Sequence, residues 1–177
     1  MSRAGHYLIA LASAVTIASL VPTLSGVALA TGVLGGGNLP DDLEFPSRPN
    51  ADGSLRPTLI PHRTITHFPW WYVAAFLFAA YLRTPIALLG AGLALGSLIH
   101  LLTDSVSPHG IPLLSFSRSM RPWVVVYKSR TASEWRLIAP ALCLASLAGV
   151  HSWPLLMAVL SQQRVEQFAA TLGSFLR

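Results

Sequence analysis

Cysteine is nearly missing from this chain of 177 residues. Cys143 stands alone in an apolar run, which excludes an intramolecular disulfide framework and a thiolate zinc site. Charge is scarce as well. Only 11% of residues are charged, with seven Asp and Glu in all; an ordinary soluble domain carries about 25%. So few charges cannot cover the surface of a small soluble domain. That argues against a cytosolic enzyme, a disordered regulator and a coiled coil. Solenoid repeats and low-complexity tracts are absent too.

What is present is apolar sequence: 53% hydrophobic residues and a mean hydropathy of +0.55. The expectation is a membrane protein of one domain spanning 1–177, closed by an amphipathic tail at 162–177. The formal net charge of +5 suits an anionic lipid surface as well as nucleic acid, and charge alone does not choose between them. No specific nucleic-acid binding is indicated, and membrane lipids are the expected partners. The first apolar run is roughly twice the length of a signal-peptide core of about 7–15 residues, which predicts that it is retained.

Three apolar stretches, 7–34, 70–102 and 137–160, alternate with polar segments. Each carries a breaker near its middle: Pro22, Arg83-Thr84-Pro85, and His151-Ser152-Trp153-Pro154. The halves run to about 13–17 residues, or roughly 20–25 Å as helix, short of a hydrocarbon core of about 30 Å. The expected fold is therefore all-α, built from short helices or helical hairpins with a polar metal-binding face. Single kinked spans are the other reading. A short extended piece is expected at 123–127, which is β-branched and aromatic. Hairpins place Arg3, the loop with Arg48 and Arg63, and the segment with Arg118, Arg121, Lys128, Arg130 and Arg136 on one side. Arg83 sits at the opposite tips. Basic short loops stay inside, so the polar face is expected to be cytoplasmic.

Imidazoles and carboxylates gather at the ends of the apolar runs. His6 precedes the first, and Asp41, Asp42 and Glu44 follow its triple glycine. His62 and His67 precede the second, and His100 and Asp104 close it. His and carboxylate together are ligands for zinc and related divalent ions. His100 and Asp104 share a helix face at a spacing of four. A lone histidine is more often a hydrogen-bonded core residue, and Asp41-Asp42 after glycines reads equally as a capped turn. The helical spacing of His100 and Asp104 tips the balance toward a metal site. Trp70-Trp71-Tyr72 reads as an interfacial aromatic belt.

In order along the chain come Gly5-His6, Leu39-Pro40-Asp41, His62-Arg63-Thr64-Ile65-Thr66-His67, His100-Leu101-Leu102-Thr103-Asp104 and Ser107-Pro108-His109-Gly110. This series resembles the LexA-binding, inner-membrane-associated metal-dependent hydrolase family of bacteria, over about three quarters of the chain. The resemblance implies a polytopic inner-membrane protein with a metal centre and hydrolase activity. It implies His6, Asp41, His62, His67, His100 and Asp104 as ligands, with Glu134 completing the site. The family often has a second aspartate two residues after the first; Leu43 stands there, with Asp42 and Glu44 on either side. A LexA-like protein partner is implied by the family name alone. More distantly, the motif order is similar to zinc-dependent phospholipase C and P1-type nucleases. That likeness implies phosphoester or lipid-type substrates, Arg63 on a substrate phosphate, and Asp42 or Glu44 as general base. Zinc is the expected metal, with manganese or iron compatible with the same shell. The alternatives are a structural metal site that supports a protein partner, and a small transporter.

Overall fold

A computed structural model describes residues 1–21, 23–44, 64–82, 84–114 and 125–159. Its elements are α1 (Arg3–Leu20), α2 (Leu24–Gly36), the single turn α3 (Leu39–Asp42), α4 (Pro69–Leu82), α5 (Pro85–Ser105) and α6 (Trp135–Val159), with 3-10 turns at Ile65–His67 and Ala132–Glu134. The first two apolar stretches fold as helical hairpins. Ser2 caps α1, Thr23 caps α2 and Thr84 caps α5, each accepting a backbone N–H of the first turn. Pro85 starts α5, where a missing N–H costs nothing.

The third stretch differs from the hairpin expectation. The α6 backbone runs as one helix through Pro140 and Pro154. A proline removes one hydrogen bond and bends an apolar helix without having to reverse it. Of the extended piece expected at 123–127, only residues 125–127 are described, and they form no strand. Among the described residues Val125–Tyr127 are irregular, joined to α5's end by the Val126 N–H to the Val106 carbonyl. Tyr127 instead fills the core with Met1, Ile9 and Ile138.

The centre of the fold is the α2–α5 contact. A Cβ built on Gly32, Gly36, Gly92 or Gly96 would lie 2.1–2.2 Å from a carbonyl oxygen of the facing helix. Glycines four apart on both helices let the backbones touch, as in close packing within membranes. The pairing of Leu29 with Gly92 and of Val33 with Gly96 makes the two helices parallel. Their C-terminal ends therefore emerge together. α1 packs beside α2 and α6, and α4 lies along α5. α1 and α5 are long and apolar enough to cross a membrane, and α2 and α4 are shorter apolar helices.

Candidate metal centre

α2, α3 and α5 deliver their polar residues to one end of the bundle, where α1 begins. His6 lies in α1's first turns, Asp41 in α3, His67 in the 3-10 turn before α4, and His100 and Asp104 at the end of α5. The His6 and His100 rings stack with centroids 3.7 Å apart, and His67 meets His100 edge-on at 5.5 Å. All three rings are almost wholly buried.

Each ring is oriented from behind. The Gly37 carbonyl, 2.8 Å from His100 Nδ1, can only accept, so Nδ1 carries the proton. His67 Nδ1 lies 3.1 Å from Glu44 Oε1, again an acceptor. His6 Nδ1 is 3.2 Å from the Thr103 hydroxyl, whose own hydrogen goes to the His100 carbonyl at 2.7 Å. That hydroxyl can therefore only accept from His6. Three Nδ1–H groups thus point outward to backbone, carboxylate and hydroxyl, and three Nε2 lone pairs point inward. Rings held this way from behind are the arrangement of metal-ligating histidines.

Inward, the Nε2 atoms face carboxylate oxygens. His67 and His100 lie 3.4 and 3.6 Å from Asp41 Oδ1, and 3.7 and 3.8 Å from Asp104 Oδ2; His6 is 3.3 Å from Asp104 Oδ1. Most of these gaps are long for a hydrogen bond. They match two ligands that share one ion: bonds of about 2.0–2.2 Å at a tetrahedral angle put the donors about 3.3–3.6 Å apart. Asp41 Oδ1 and His100 Nε2 are buried with no hydrogen-bond partner among the described residues. Two overlapping triads, His6–His100–Asp104 and Asp41–His67–His100, each have donors within 4.8 Å of one another.

The electrostatics also ask for positive charge. Burial works to raise Asp41, but the neighbouring His100 and His67 imidazoles overrule it and hold its carboxyl well below the usual range. Burial works to lower His67, and Asp41 and Glu44 overrule it, so the ring holds a proton more tightly than a free imidazole. The parallel α2 and α5 bring their negative dipole ends to the same spot. The Met1 ammonium, 2.8 Å from Asp104 Oδ1, and the Tyr127 hydroxyl at 3.2 Å also meet that oxygen.

Other expected site residues stand apart. Asp42 is exposed, 3.6 Å from Arg3, and does not reach the cluster. Glu44, expected as a general base, lies behind His67 and accepts from Thr66 Oγ1 at 3.2 Å. Both Glu134 oxygens go to the start of α1: Oε1 accepts from the Ser2 and Arg130 backbones, and Oε2 accepts from the Ser2 hydroxyl at 2.6 Å. Glu134 joins neither triad. His109 is exposed in a turn closed by Gly110 at φ 63°. His62, Arg63, Arg83, Arg118, Arg121 and the tail 162–177 lie outside the described residues.

The sequence reading missed the outward partners. Thr103 and Gly37 carry no chemical signature alone; both flank ligands in the chain, and that adjacency was the available signal. Gly5, already part of the Gly5-His6 motif, has a packing reason: a Cβ there would press on Met1 and Glu134 at 2.7 and 3.0 Å.

Apolar helices with a buried cluster of histidines and carboxylates at one end define a helical membrane protein with a candidate metal centre. The chain belongs to the YdjM inner membrane protein family, whose model matches residues 1–165. No curated protein and no solved structure matches it. The family match bears out the inner-membrane assignment expected from the motifs; it shows neither the hydrolase activity nor the distant likeness to phospholipase C and P1-type nucleases.

Proposed function

We propose that the chain is a metal-dependent hydrolase embedded in the bacterial inner membrane, acting on phosphoester or lipid-type substrates. The observation that carries this is the convergence of three Nε2 atoms, each with its Nδ1 proton committed elsewhere, on two carboxylates. With the imidazoles deprotonated, the carboxylates of Asp41, Asp104 and Glu44 outnumber the Met1 ammonium among the described residues, and a divalent ion offsets that excess. The donor set is nitrogen and oxygen only and suits zinc, with manganese or iron as close competitors. Such an ion supplies Lewis-acid polarisation of a phosphoryl oxygen and lowers the pKa of water.

His6, His67, His100, Asp41 and Asp104 hold the ion in this reading. Glu44, Thr103 and the Gly37 carbonyl fix the rings. Asp41 and Glu44 keep some exposed surface while the rings keep almost none, so substrate approaches from the α3 side. The Lys and Arg content of the polar segments supports a cytoplasmic position for that side. A LexA-like partner rests on the family name and forms no part of this proposal.

The experiment is hydrolysis of phosphodiesters and phospholipids by detergent-purified protein, before and after chelation and metal add-back. Loss on chelation, recovery with zinc or manganese, and loss of turnover in a folded Asp104→Asn variant support the hydrolase. A second reading, a structural metal site, is favoured by the deep burial of the rings. In that case turnover is absent throughout, and chelation lowers the melting temperature instead.

A further inference from the structure

Every Lys, Arg, Asp and Glu among the described residues lies at the pole of the histidine cluster, and the Lys and Arg gather on one side of it. α1 and α6 run parallel: Ser2 meets Glu134, Ile9 and Ile138 share a core cluster, and a Cβ on Gly149 would lie 3.6 Å from Val15 Cγ1. Their starts are therefore neighbours, and each carries an exposed arginine, Arg3 and Arg136. The turn that leads into α6 adds Lys128 and Arg130, both exposed. The Ser2 and Arg130 backbone N–H groups donate to the same Glu134 oxygen, which sets that turn against the first residues of α1. The α4 side of the pole, where Trp70 and Trp71 are exposed, has no Lys or Arg among the described residues.

Little within the protein neutralises these cations. Arg3 lies 3.6 Å from Asp42, but both side chains are exposed, and such pairs are weak. Glu134 is buried, with its oxygens committed to Ser2 and the Arg130 backbone. Lys128, Arg130 and Arg136 form no ion pair among the described residues; Arg136 donates one N–H to the Val126 carbonyl at 3.3 Å and keeps its other donors. Arg130 also stands at φ 61°, the left-handed region that glycine takes freely and a side chain resists. A glycine would relax this turn, so what the arginine adds is its charge.

We propose that this surface binds the phosphate of an anionic phospholipid from the surrounding bilayer, with Arg3, Lys128, Arg130 and Arg136 as the donors. The proposal rests on the chain's place in the membrane and is independent of the metal. Depth fits: Arg3 and Arg136 stand where two apolar helices begin, beside the exposed Tyr7 and Trp135, and such aromatic residues sit at headgroup level. Chemistry fits, because a guanidinium forks onto two phosphate oxygens and basic pockets between membrane helices hold anionic headgroups. Retention of basic loops on one side of a membrane accounts for cations at one pole, but not for their gathering on one side of that pole.

The test is titration of the detergent-purified full chain, stripped of lipid, with short-chain phosphatidylglycerol or phosphatidylcholine, the bound lipid counted by native mass spectrometry. Phosphatidylglycerol is expected to bind the more tightly. Lys128→Gln and Arg130→Gly should each weaken it about fivefold, the effect of one cation near an anionic surface, and leave phosphatidylcholine unchanged. Asp42→Asn should strengthen it by freeing Arg3. Arg130→Gly should keep or raise the lipid-free melting temperature, since glycine suits the left-handed backbone; a lower melting temperature with unchanged lipid affinity would overturn the role of Arg130. Leu114→Lys, 83% exposed on the α4 side, restores the net charge of Arg130→Gly and should not restore its binding. Recovery there would mean that diffuse charge suffices, and overturns the site. Equal binding of the two lipids overturns it too. Displacement by glycerol phosphate at matching concentration would make the ligand a soluble phosphate and overturn the lipid assignment.

Discussion

At the scale of single residues, the Nδ1 partners decide what the histidines can do. Glu44 is the informative case. Its carboxylate bonds the atom of His67 that faces away from the cluster, so Glu44→Gln should weaken metal affinity by about 10–100-fold and leave full stoichiometry reachable at higher metal. Titration against a fluorescent zinc chelator reads this directly; unchanged affinity with lost turnover would return Glu44 to the role of base. Glu134 works at a distance from the cluster. Removing it in Glu134→Ala strands the Ser2 and Arg130 N–H groups and should cost about 1–3 kcal/mol, seen as faster amide exchange in the first turn of α1. Burial works to raise the Glu134 carboxyl, and its bonds to Ser2 and Arg130 prevail, so it lies below its ordinary 4.5. Its contribution is then complete above about pH 4.5, where the unfolded carboxyl is also ionised, and is lost as pH falls through the lowered value. The protection of that turn should fade over the same interval. His6, Asp41, His67, His100 and Asp104 were legible as chemistry because polar residues at the ends of apolar runs are conspicuous. The roles of Glu44 and Glu134 were not, since a carboxylate's partner is set by the fold and not by its neighbours in the chain.

At the scale of elements, the parallel contact of α2 and α5 sets the site, because Gly37 and Asp41 follow one helix and His100 and Asp104 end the other. Gly36→Leu or Gly92→Leu forces a side chain into a carbonyl of the facing helix. The expected result is loss of both thermal stability and bound metal, whereas Gly90→Leu, whose Cβ would meet only Ala79 at 4.0 Å, should retain both. A detergent thermal-shift series with metal analysis separates these outcomes. The two glycine pairs, four apart in apolar helices, are a packing signal legible in the sequence itself. Breakers were read well in the first two stretches and too literally in the third. The chain reverses between α1 and α2 and between α4 and α5; Pro154, within a continuing apolar run, does not have to reverse it.

At the scale of the whole molecule, low charge and long apolar runs already gave a helical membrane protein, and the family match agrees with that. Composition does not say which ends come together, and the cluster exists only because four elements from distant parts of the chain meet at one pole. The central claim is that this pole binds a divalent ion through nitrogen and oxygen donors alone. Inductively coupled plasma mass spectrometry on detergent-purified protein, wild type beside His100→Ala and Asp41→Asn, tests it most directly. The account predicts at least one transition-metal ion per chain in the wild type and its loss in both variants while the helical circular dichroism spectrum is kept. A folded wild type that stays metal-free after reconstitution with zinc, manganese and iron would contradict it.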